Sequence, residues 1–400
     1  MTTTWPLKTL DQLGEVSRGR SRHRPRDAAH LYGGSYPFIQ TGDVKHSHLY
    51  INEFSQTYTE AGLAQSRLWQ SGTLCITIAA NIADTAILAI DACFPDSIIG
   101  FVADKKKADV RFVKYLFDAL LQKRFKKVSH GAAQDNLSQS KLLSLDFPVP
   151  KVEKQREIAG VLAAYDDLIE NNNRRIGLLE QAARLLYKDW FVHLRFPGHE
   201  NVTITNGIPE GWEMKLLGDV AFTNTSSHKK KNVPEILNYI DIGSVRVGRI
   251  EKKTEMFGKD APGRARRIAK HGDTIWSNVR PNLRAYSLVM HPEANDVFST
   301  GFTILEPNGV PYTYIYNYVT TNDFVGHLVN HATGVGYPAV RPDDFERAKI
   351  VVPPPTILDL FHQHTESFYE QQFSLSVQNS KLAEARDILL PRLMNGEIQV

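Results

Sequence analysis

The stretch IAGVLAAYDDLIENNNRRIGLLEQAARLLYKDW, residues 158–190, decides how this chain folds. Its apolar residues recur at alternating steps of four and three, the spacing of a helix that pairs with another helix. Asn172 falls on this seam, within a run of three asparagines. A buried amide there lowers stability but fixes helix register, whereas a solvated bend is the simpler alternative. The seam residues are Ile158, Leu162, Tyr165, Ile169, Asn172, Ile176, Leu179 and Leu186.

A second helix of the same kind is predicted at the carboxyl end of the chain. Phe361 follows Ile158 by 203 residues, and the later seam residues keep that offset. Two such helices in one chain are expected to pair with each other, antiparallel, as a spacer between globular domains. The polar partner of Asn172 would then come from Gln371, Gln372, Gln378 or Asn379. The second seam consists of Phe361, Phe368, Leu375, Leu382 and Leu389.

The chain also contains a repeat of long period. Gly42-Asp43-Val44 answers to Gly243-Ser244-Val245, Gly72 to Gly272, and His130 to His331, at offsets of 200 or 201 residues. Between these markers lie short β-branched or aromatic runs punctuated by Gly, Pro and Asn, and one amphipathic helix in each half, at 108–127 and 310–330. We therefore predict two duplicated domains of mixed, strand-rich α/β fold, each followed by a long helix, with pseudo-two-fold organisation.

Composition limits the class of protein and its compartment. With 42% hydrophobic and 23% charged residues, the 400-residue chain has material for two or three ordinary cores. The amino terminus resembles no signal peptide, and the most apolar stretch, 74–94, is interrupted by polar residues. Cys75 and Cys93 are too few for a disulfide framework. These features predict a cytoplasmic chain without a membrane partner.

Positive charge is concentrated in short segments, although the net charge is only +3. The segment SRGRSRHRPR (17–26) carries an arginine at every second position from 18 to 26, and further basic runs lie at 123–127, 228–231 and 263–271. Each run alone is compatible with a solvated loop. Together, outside the long helices, they favour a surface that contacts phosphate groups.

Catalytic motifs are scarce in this sequence. It contains no phosphate loop, dinucleotide fingerprint, HExxH pair or nucleophile elbow. One short pattern, Pro95-Asp96 followed by Asp104-Lys105-Lys106, resembles the PD-(D/E)xK arrangement of magnesium-dependent nucleases, in which two carboxylates hold the metal ion. Because so short a pattern arises easily by chance, a stand-alone nuclease is only the alternative function.

A family resemblance rests on four segments. Residues 147–191, FPVPKVEKQREIAGVLAAYDDLIENNNRRIGLLEQAARLLYKDWF, resemble the central conserved helix of the specificity (S) subunits of type I restriction-modification systems. GIPEGWEMKLLGDV (207–220) resembles the opening of their second target recognition domain, and LLPRLMNGEIQV (389–400) their usual ending. SNVRPNLRAYSLV (277–289) is similar to a recognition-domain segment.

The resemblance implies a DNA-recognition subunit without catalytic chemistry of its own. Each target recognition domain would bind one half of a split, asymmetric site in double-stranded DNA, while two modification (methyltransferase) subunits dock on the helices. Restriction (translocase-nuclease) subunits complete such enzymes, and S-adenosylmethionine, ATP and Mg²⁺ belong to the partners, so no cofactor is expected on this chain. The implied boundaries are 1–150 and 207–354 for the recognition domains, 151–196 and 355–400 for the conserved helices, and 197–206 for a linker.

Candidate DNA contacts follow from side-chain chemistry, because arginine and lysine bind phosphates while arginine and asparagine also form paired hydrogen bonds with base edges. A mobile basic loop or a solvent-facing turn remains the alternative for each segment. In the first domain the candidates are Arg20, Arg22, Arg24, Arg26, Thr41 and Asp43. In the second they are Lys229, Lys230, Arg264, Arg266, Arg267, Asn278, Arg280, Asn282 and Arg284. We expect no metal site and no catalytic residue.

Overall fold

The structure, a computed structural model, describes residues 5–79, 82–128, 137–229 and 232–400, with 121–128 described by backbone alone. The chain divides into two compact units. Unit 1 comprises residues 1–173 and 377–400, and unit 2 comprises residues 174–376. Both divisions fall inside long helices, so each unit contains one strand-rich half together with part of both helices. The predicted repeat residue His130 lies outside the described residues.

Unit 1 is built on two mixed sheets. Their strand orders are β2-β10-β7-β8-β4 and β5-β3-β9-β6, and β1 pairs with β11. The strands are β1 (Leu7–Lys8), β2 (Gly14–Arg18), β3 (Tyr32–Phe38), β4 (Tyr50–Ile51), β5 (Gln56–Tyr58), β6 (Leu68–Trp69), β7 (Leu74–Thr77), β8 (Thr85–Leu88), β9 (Ala92–Cys93), β10 (Ile98–Ala103) and β11 (Phe147–Pro148). The helices are α1 (Thr41–His46), α2 (Glu60–Ala64), α3 (Val110–Val128), α4 (Gln139–Leu143) and α5 (Val152–Tyr187), which continues into unit 2.

Unit 2 has sheets of order β15-β24-β21-β22 and β19-β16-β23-β20, with the pairs β14-β25, β12-β13 and β17-β18. The strands are β12 (Ile204–Thr205), β13 (Ile208–Pro209), β14 (Glu213–Leu216), β15 (Ala221–Thr223), β16 (Ile236–Ile240), β17 (Val245–Arg246), β18 (Arg249–Ile250), β19 (Thr254–Phe257), β20 (Ala265–Arg267), β21 (Thr274–Ser277), β22 (Tyr286–Leu288), β23 (Asp296–Ser299), β24 (Phe302–Pro307) and β25 (Lys349–Val352). The helices are α6 (Leu217–Val220), α7 (Tyr312–Val319), α8 (Asn322–His331), α9 (Pro342–Glu346) and α10 (Pro355–Met394), which ends in unit 1.

The two units repeat the same topology. The order β2-β10-β7-β8 in unit 1 matches β15-β24-β21-β22 in unit 2, and β5-β3-β9-β6 matches β19-β16-β23-β20. In each second sheet one pair is parallel, β3 with β9 and β16 with β23. The prediction of two duplicated, strand-rich α/β domains with long helices is therefore confirmed.

One predicted helix is wrong. The segment 310–330 forms two helices, α7 and α8, which are separated at Thr320 and Thr321. The Thr321 hydroxyl accepts a hydrogen bond from the Phe324 N–H and so caps α8, while the Thr320 hydroxyl donates to the Tyr316 carbonyl at the end of α7. Threonine favours such local hydrogen bonds, and two adjacent threonines interrupt the apolar helical pattern.

The long helices complete the core of both units. In unit 1, Ile158 and Leu162 of α5 are fully buried in one cluster with Phe112 of α3 and with Leu393 of α10. In unit 2, Tyr187 and Trp190 pack against Phe361 of α10, with ring centroids about 6 Å apart. Each strand-rich half therefore buries its apolar face against the helix pair.

The seam positions differ in burial along the two helices. The buried set is Ile158, Leu162, Ile169, Asn172, Phe361 and Leu375. The half-buried set is Tyr165, Ile176, Leu179, Leu186, Phe368, Leu382 and Leu389.

Two polar contacts fix the antiparallel register in unit 1. The Asn172 side-chain amide donates to Asn379 Oδ1 at 2.9 Å, and the Asn379 amide donates to Asn173 Oδ1 at 2.9 Å. About two turns along α5, Arg386 forms an ion pair with Asp166, which is only 1% exposed and also accepts a hydrogen bond from Tyr115 at 2.5 Å. The residue numbers of the partners rise on one helix as they fall on the other, so the helices are antiparallel within this unit.

A double-mutant cycle tests the amide contact. Asn172→Leu should lower the free energy of unfolding by ~1–2 kcal/mol, because the Asn379 oxygen loses its donor at a partly buried site. Adding Asn379→Leu should restore most of that loss, since two apolar groups then face each other. Urea denaturation of the four chains measures both effects, and strictly additive losses would contradict the contact.

Asp273 supplies a second, pH-dependent test. It is 3% exposed at the turn before β21, where its carboxylate accepts the Lys270 N–H at 2.7 Å, and burial raises its pKa from 3.8 to about 7. Between these pH values the folded chain holds a proton that the unfolded chain has released. The stability contributed by this group is therefore lost as pH rises from about 4 to about 7.

Asp273→Asn removes this titration and keeps the oxygen that accepts from Lys270. The stability of the variant relative to the native chain should rise between pH 4.5 and pH 7 and stay constant above it. Urea midpoints of both chains at pH 4.5, 6 and 8 measure the difference, with the exposed Asp260→Asn as the surface control. A difference that is the same at all three pH values would contradict the assignment.

Candidate DNA interface

The basic segment of unit 1, residues 17–26, lies across the end of β10 and is anchored by its backbone. The Gly19 N–H donates to the Ile98 carbonyl and the Arg20 N–H to the Phe94 carbonyl, at 2.9 and 3.0 Å. The Gln65 side chain accepts from the N–H groups of Arg22 and His23. The segment is thus held in one place by its backbone, and its four candidate arginines are exposed.

The four candidate arginines of this segment fall into two pairs. Arg24 donates to the Ser21 and His23 carbonyls, and Arg26 forms an ion pair with Asp96 at 2.9 Å. Arg20 and Arg22 are exposed, and their guanidinium groups make no hydrogen bond or ion pair within the described part of the chain. Arg24 and Arg26 therefore stabilise the conformation of the segment, whereas Arg20 and Arg22 present positive charge that no described residue neutralises.

Thr41 and Asp43 lie at the start of α1. Asp43 accepts a hydrogen bond from the Gln40 N–H at 2.7 Å, and its carbonyl accepts one from the Ser47 hydroxyl. Both residues are half-buried. This geometry accounts for Asp43 as the acidic residue of a helix start, so the prediction of a base contact there has no support from its surroundings.

The nuclease pattern does not assemble into a metal site. Asp96 precedes β10 and Asp104 follows it, which at the rise of an extended strand separates them by roughly 25 Å. Asp96 pairs with Arg26, and the backbone N–H of Lys106 and the side chain of Lys107 hold the pKa of Asp104 below its ordinary value. Two carboxylates so far apart cannot share one Mg²⁺, and the stand-alone nuclease is not supported.

In unit 2 the structure brings three separate segments together. Ser227 pairs with Arg267, and the His228 N–H donates to the Arg266 carbonyl at 2.8 Å. The turn after β23 then links Arg264 to Asn278, because Thr300 N–H donates to the Arg264 carbonyl and Gly301 accepts from the Asn278 N–H. Backbone contacts therefore link residues 227–229, 264–267 and the start of 278–284 in one part of unit 2; Lys230 lies outside the described residues.

Arg267 occupies an unusual place on this surface. Burial lowers the pKa of its guanidinium group below the ordinary value, and the contact that the structure describes for it is a 3.2 Å hydrogen bond to the Ser227 hydroxyl. Its buried Nε has no acceptor among the described residues. A buried, unpaired donor is costly. Arg264 and Lys229 are exposed, and Arg266 is half-buried.

The segment 278–284 has a strained backbone held by specific contacts. Arg280 and Arg284 have left-handed φ angles of 50° and 55° on either side of a short 3-10 helix, Pro281–Leu283. For residues with a Cβ this conformation costs about 1–3 kcal/mol and persists where the surroundings impose it. Such strain often marks binding surfaces.

The side chains of this segment are partly committed to the fold. Asn278 Oδ1 accepts from the Thr303 hydroxyl at 2.7 Å, and Arg284 donates to Asn322 at 2.7 Å. Arg280 donates one N–H to the Gly336 carbonyl at 3.1 Å and lies 4.4 Å above the Tyr337 ring. These contacts orient Arg280 and leave most of its donors unassigned, and Asn282 is exposed.

One group of residues has a donor set suited to a transition metal. His271, His291 and Glu370 place their ligand atoms within 4.8 Å of one another, and Glu370 accepts from His291 at 2.9 Å. His271 Nδ1 also accepts from the His291 N–H at 3.3 Å, which occupies its lone pair. The group is thus held together by hydrogen bonds.

The loop that faces Arg280 was not predicted from the sequence. Residues 333–339, which lie outside all predicted site segments, contact Arg280 through Gly336, Tyr337 and Pro338. The alternation Gly334-Val335-Gly336 is the signal that could have found it, because paired glycines mark a tight turn. Both glycines have positive φ angles.

Comparison with known proteins shows which proteins this chain resembles. Residues 3–181 match the family model described as type I restriction modification DNA specificity domain. The chain is 25% identical to the MjaIX type I restriction enzyme specificity subunit of Methanocaldococcus jannaschii, over 99% of this chain and 94% of that protein. It is 22% identical to the HindI specificity subunit of Haemophilus influenzae, over 96% and 98% of the two chains.

The fold is shared with a solved structure. The type I restriction-modification S subunit from M. genitalium superimposes with a TM-score of 0.59, at 16% identity, over 97% of this chain and 96% of that one. At that identity the likeness concerns the fold alone. No helix of the described residues is both long and apolar enough to cross a bilayer.

Proposed function

We propose that this chain is a specificity subunit of a type I restriction-modification system and that its two recognition domains read the two halves of a bipartite, asymmetric DNA target. The observation that carries the proposal is the duplicated topology. Both units have the same strand order, yet their basic segments differ in sequence and in position. Equal scaffolds with unequal contact residues are suited to reading two different half-sites.

Within each unit, we assign the contacts according to how their side chains are held. Arg20 and Arg22 in unit 1 and Arg264 and Lys229 in unit 2 are exposed cations suited to phosphate groups. Arg280 is oriented by Tyr337 and Gly336, and an oriented guanidinium is suited to paired hydrogen bonds with guanine. Recognition of bases by these contacts requires no catalytic group on this chain.

The chemistry of methylation and cleavage is proposed to lie on partner subunits. We expect two modification subunits to bind the long helices and restriction subunits to join them, with S-adenosylmethionine, ATP and Mg²⁺ bound by those partners. The described residues offer a surface for the first of these contacts. Leu178 and Leu185, seven residues apart on α5, are 58% and 61% exposed, and Val192 continues the spacing at 55%.

These three side chains form an apolar stripe on a helix whose seam residues face the other way. Exposed apolar side chains that recur every two turns on one helix face suit a surface that another protein covers. A modification subunit that covers the stripe would bury it at about 25 cal/mol per Å² of apolar area. We therefore assign the stripe to the docking of a modification subunit.

The function is tested with the chain co-purified with its modification subunits. The complex should bind and methylate one bipartite sequence, with an affinity that falls as salt rises, whereas the chain alone should transfer no methyl group. Arg280→Ala should cost ~1–3 kcal/mol on the cognate site and relax one half of it, because a guanine contact is lost. Methylated-site sequencing and equilibrium binding measure both.

Two control variants separate base from phosphate contact. Arg280→Lys keeps the charge but not the planar fork, so a phosphate contact would survive it and a guanine contact would not. Arg347→Ala removes an exposed arginine at the end of α9 and should change neither the affinity for DNA nor the DNA sequence that is methylated. Equal weakening by Arg280→Ala on every DNA sequence would demote Arg280 to a phosphate contact, and methyl transfer by the chain alone would overturn the function.

The docking stripe is tested by charge. Leu178→Asp combined with Leu185→Asp should weaken assembly with the modification subunit at least tenfold, because two carboxylates would have to be desolvated in the interface. Ile204→Asp, at a similarly exposed position in the predicted linker, is the matched control. Analytical ultracentrifugation of mixed subunits measures assembly. Unchanged assembly of the double variant would exclude the stripe as a contact.

A further inference from the structure

The loop 333–339 of unit 2 is closed and well anchored. Thr333 and Ala339 exchange two backbone hydrogen bonds of 2.9 Å, which turns the five residues between them into a tight loop. Gly334 and Gly336 supply φ angles of 108° and 85°, which side chains rarely adopt. A Cβ on Gly334 would also approach the Tyr337 carbonyl to 3.2 Å. The loop conformation is therefore defined by its own sequence.

The loop is joined to the strained segment 278–284. Val279 pairs with Ala339, the Arg280 N–H donates to the Pro338 carbonyl at 2.7 Å, and the Val340 N–H donates to the Asn278 carbonyl at 2.8 Å. The Arg280 side chain adds its contacts with Gly336 and Tyr337. Loop and segment thus act as one structural element.

This element exposes apolar side chains at its outer end. Val335 is fully exposed, Tyr337 is 72% exposed, and Leu283, three residues after Arg280, is 62% exposed. None of the three contributes much apolar burial to the fold. Apolar groups at the tip of a rigid loop point to a binding role.

The charged residues around the loop indicate the chemistry of the ligand that it binds. Arg280 stacks on the Tyr337 ring, Arg284 closes the same 3-10 helix, and Arg264 lies across the turn that contacts Asn278. A polyanion is favoured by these cations, and the apolar tip suits the bases of that polyanion, since side chains such as these contact thymine methyl groups or base faces in the grooves of duplex DNA.

We propose that the loop 333–339 determines specificity in the half-site read by recognition domain 2, with Val335 in direct apolar contact with its bases. The proposal rests on the proposed DNA-reading function and adds a non-ionic base contact to it. Tyr337 and Gly336 orient Arg280, so the apolar contact and the arginine act on neighbouring positions of the same half-site.

The test uses this chain in complex with its modification subunits. Three variants are compared, each of which replaces one exposed valine. Val335→Ala should lower affinity for the cognate DNA about tenfold, because two methyl groups of contact are lost. Val335→Thr keeps the shape and should lose a similar factor, since a hydroxyl replaces one methyl. Val247→Ala, at a half-exposed valine elsewhere in unit 2, should leave affinity unchanged. All three variants should have the same melting temperature as the native chain.

Binding to non-cognate duplex and the methylated sequence provide the deciding readouts. Affinity for non-cognate DNA should stay within twofold for both Val335 variants, and the methylated motif should relax at one position in one half only. Unchanged cognate affinity, or equal loss on cognate and non-cognate DNA, would overturn the proposal. If the native complex itself methylated no defined sequence, the DNA-reading function would fail first, which separates the two outcomes.

Discussion

Both halves of this chain depend on the antiparallel contact of α5 with α10, because neither strand-rich half closes its core without it. In unit 1 the core that contains Phe112 also contains Ile158 and Leu393, one from each helix. Apolar packing alone would tolerate a shift of one helical turn. Asp166 and Arg386 do not tolerate it, since a shifted pairing would leave a buried charge without its partner, at a cost of several kcal/mol. The Asn172–Asn379 contact adds a second condition in the same register.

The architecture could be predicted from the sequence because it rests on periodic signals. The alternating spacing of Ile158, Leu162 and their successors survives any tertiary context, as it reflects the geometry of the helix itself. The long-period repeat puts β7 and β21 at matching positions, since Gly72 and Gly272 each precede their strand by two residues. The prediction is wrong at 310–330, where apolar spacing is continuous but local threonine hydrogen bonds redirect the backbone. The local hydrogen bonds of Thr320 and Thr321 outweigh the apolar periodicity there, so the segment forms two helices.

The candidate interface was less accessible, because its geometry depends on residues that are distant in sequence. Asp96 resembles a metal ligand in its own segment, yet it pairs with Arg26, seventy residues away. Arg280 resembles one of several equivalent basic residues, and its orientation comes from Tyr337 and Gly336 in a loop that carries no charge. A single sequence records neither relation. The DNA contacts of the individual arginines stay predictions that the binding experiments address.

The way the loop 333–339 is attached has a consequence for how recognition can diverge. Its links to residues 278–280 are largely backbone hydrogen bonds, from Arg280 to Pro338 and from Val340 to Asn278. Such bonds are indifferent to the side chains that they carry. Positions 282, 283 and 335 can therefore exchange residues during evolution while the scaffold beneath them stays intact. Under the proposed DNA contact, point substitution at these positions would change the target sequence while the protein still folds.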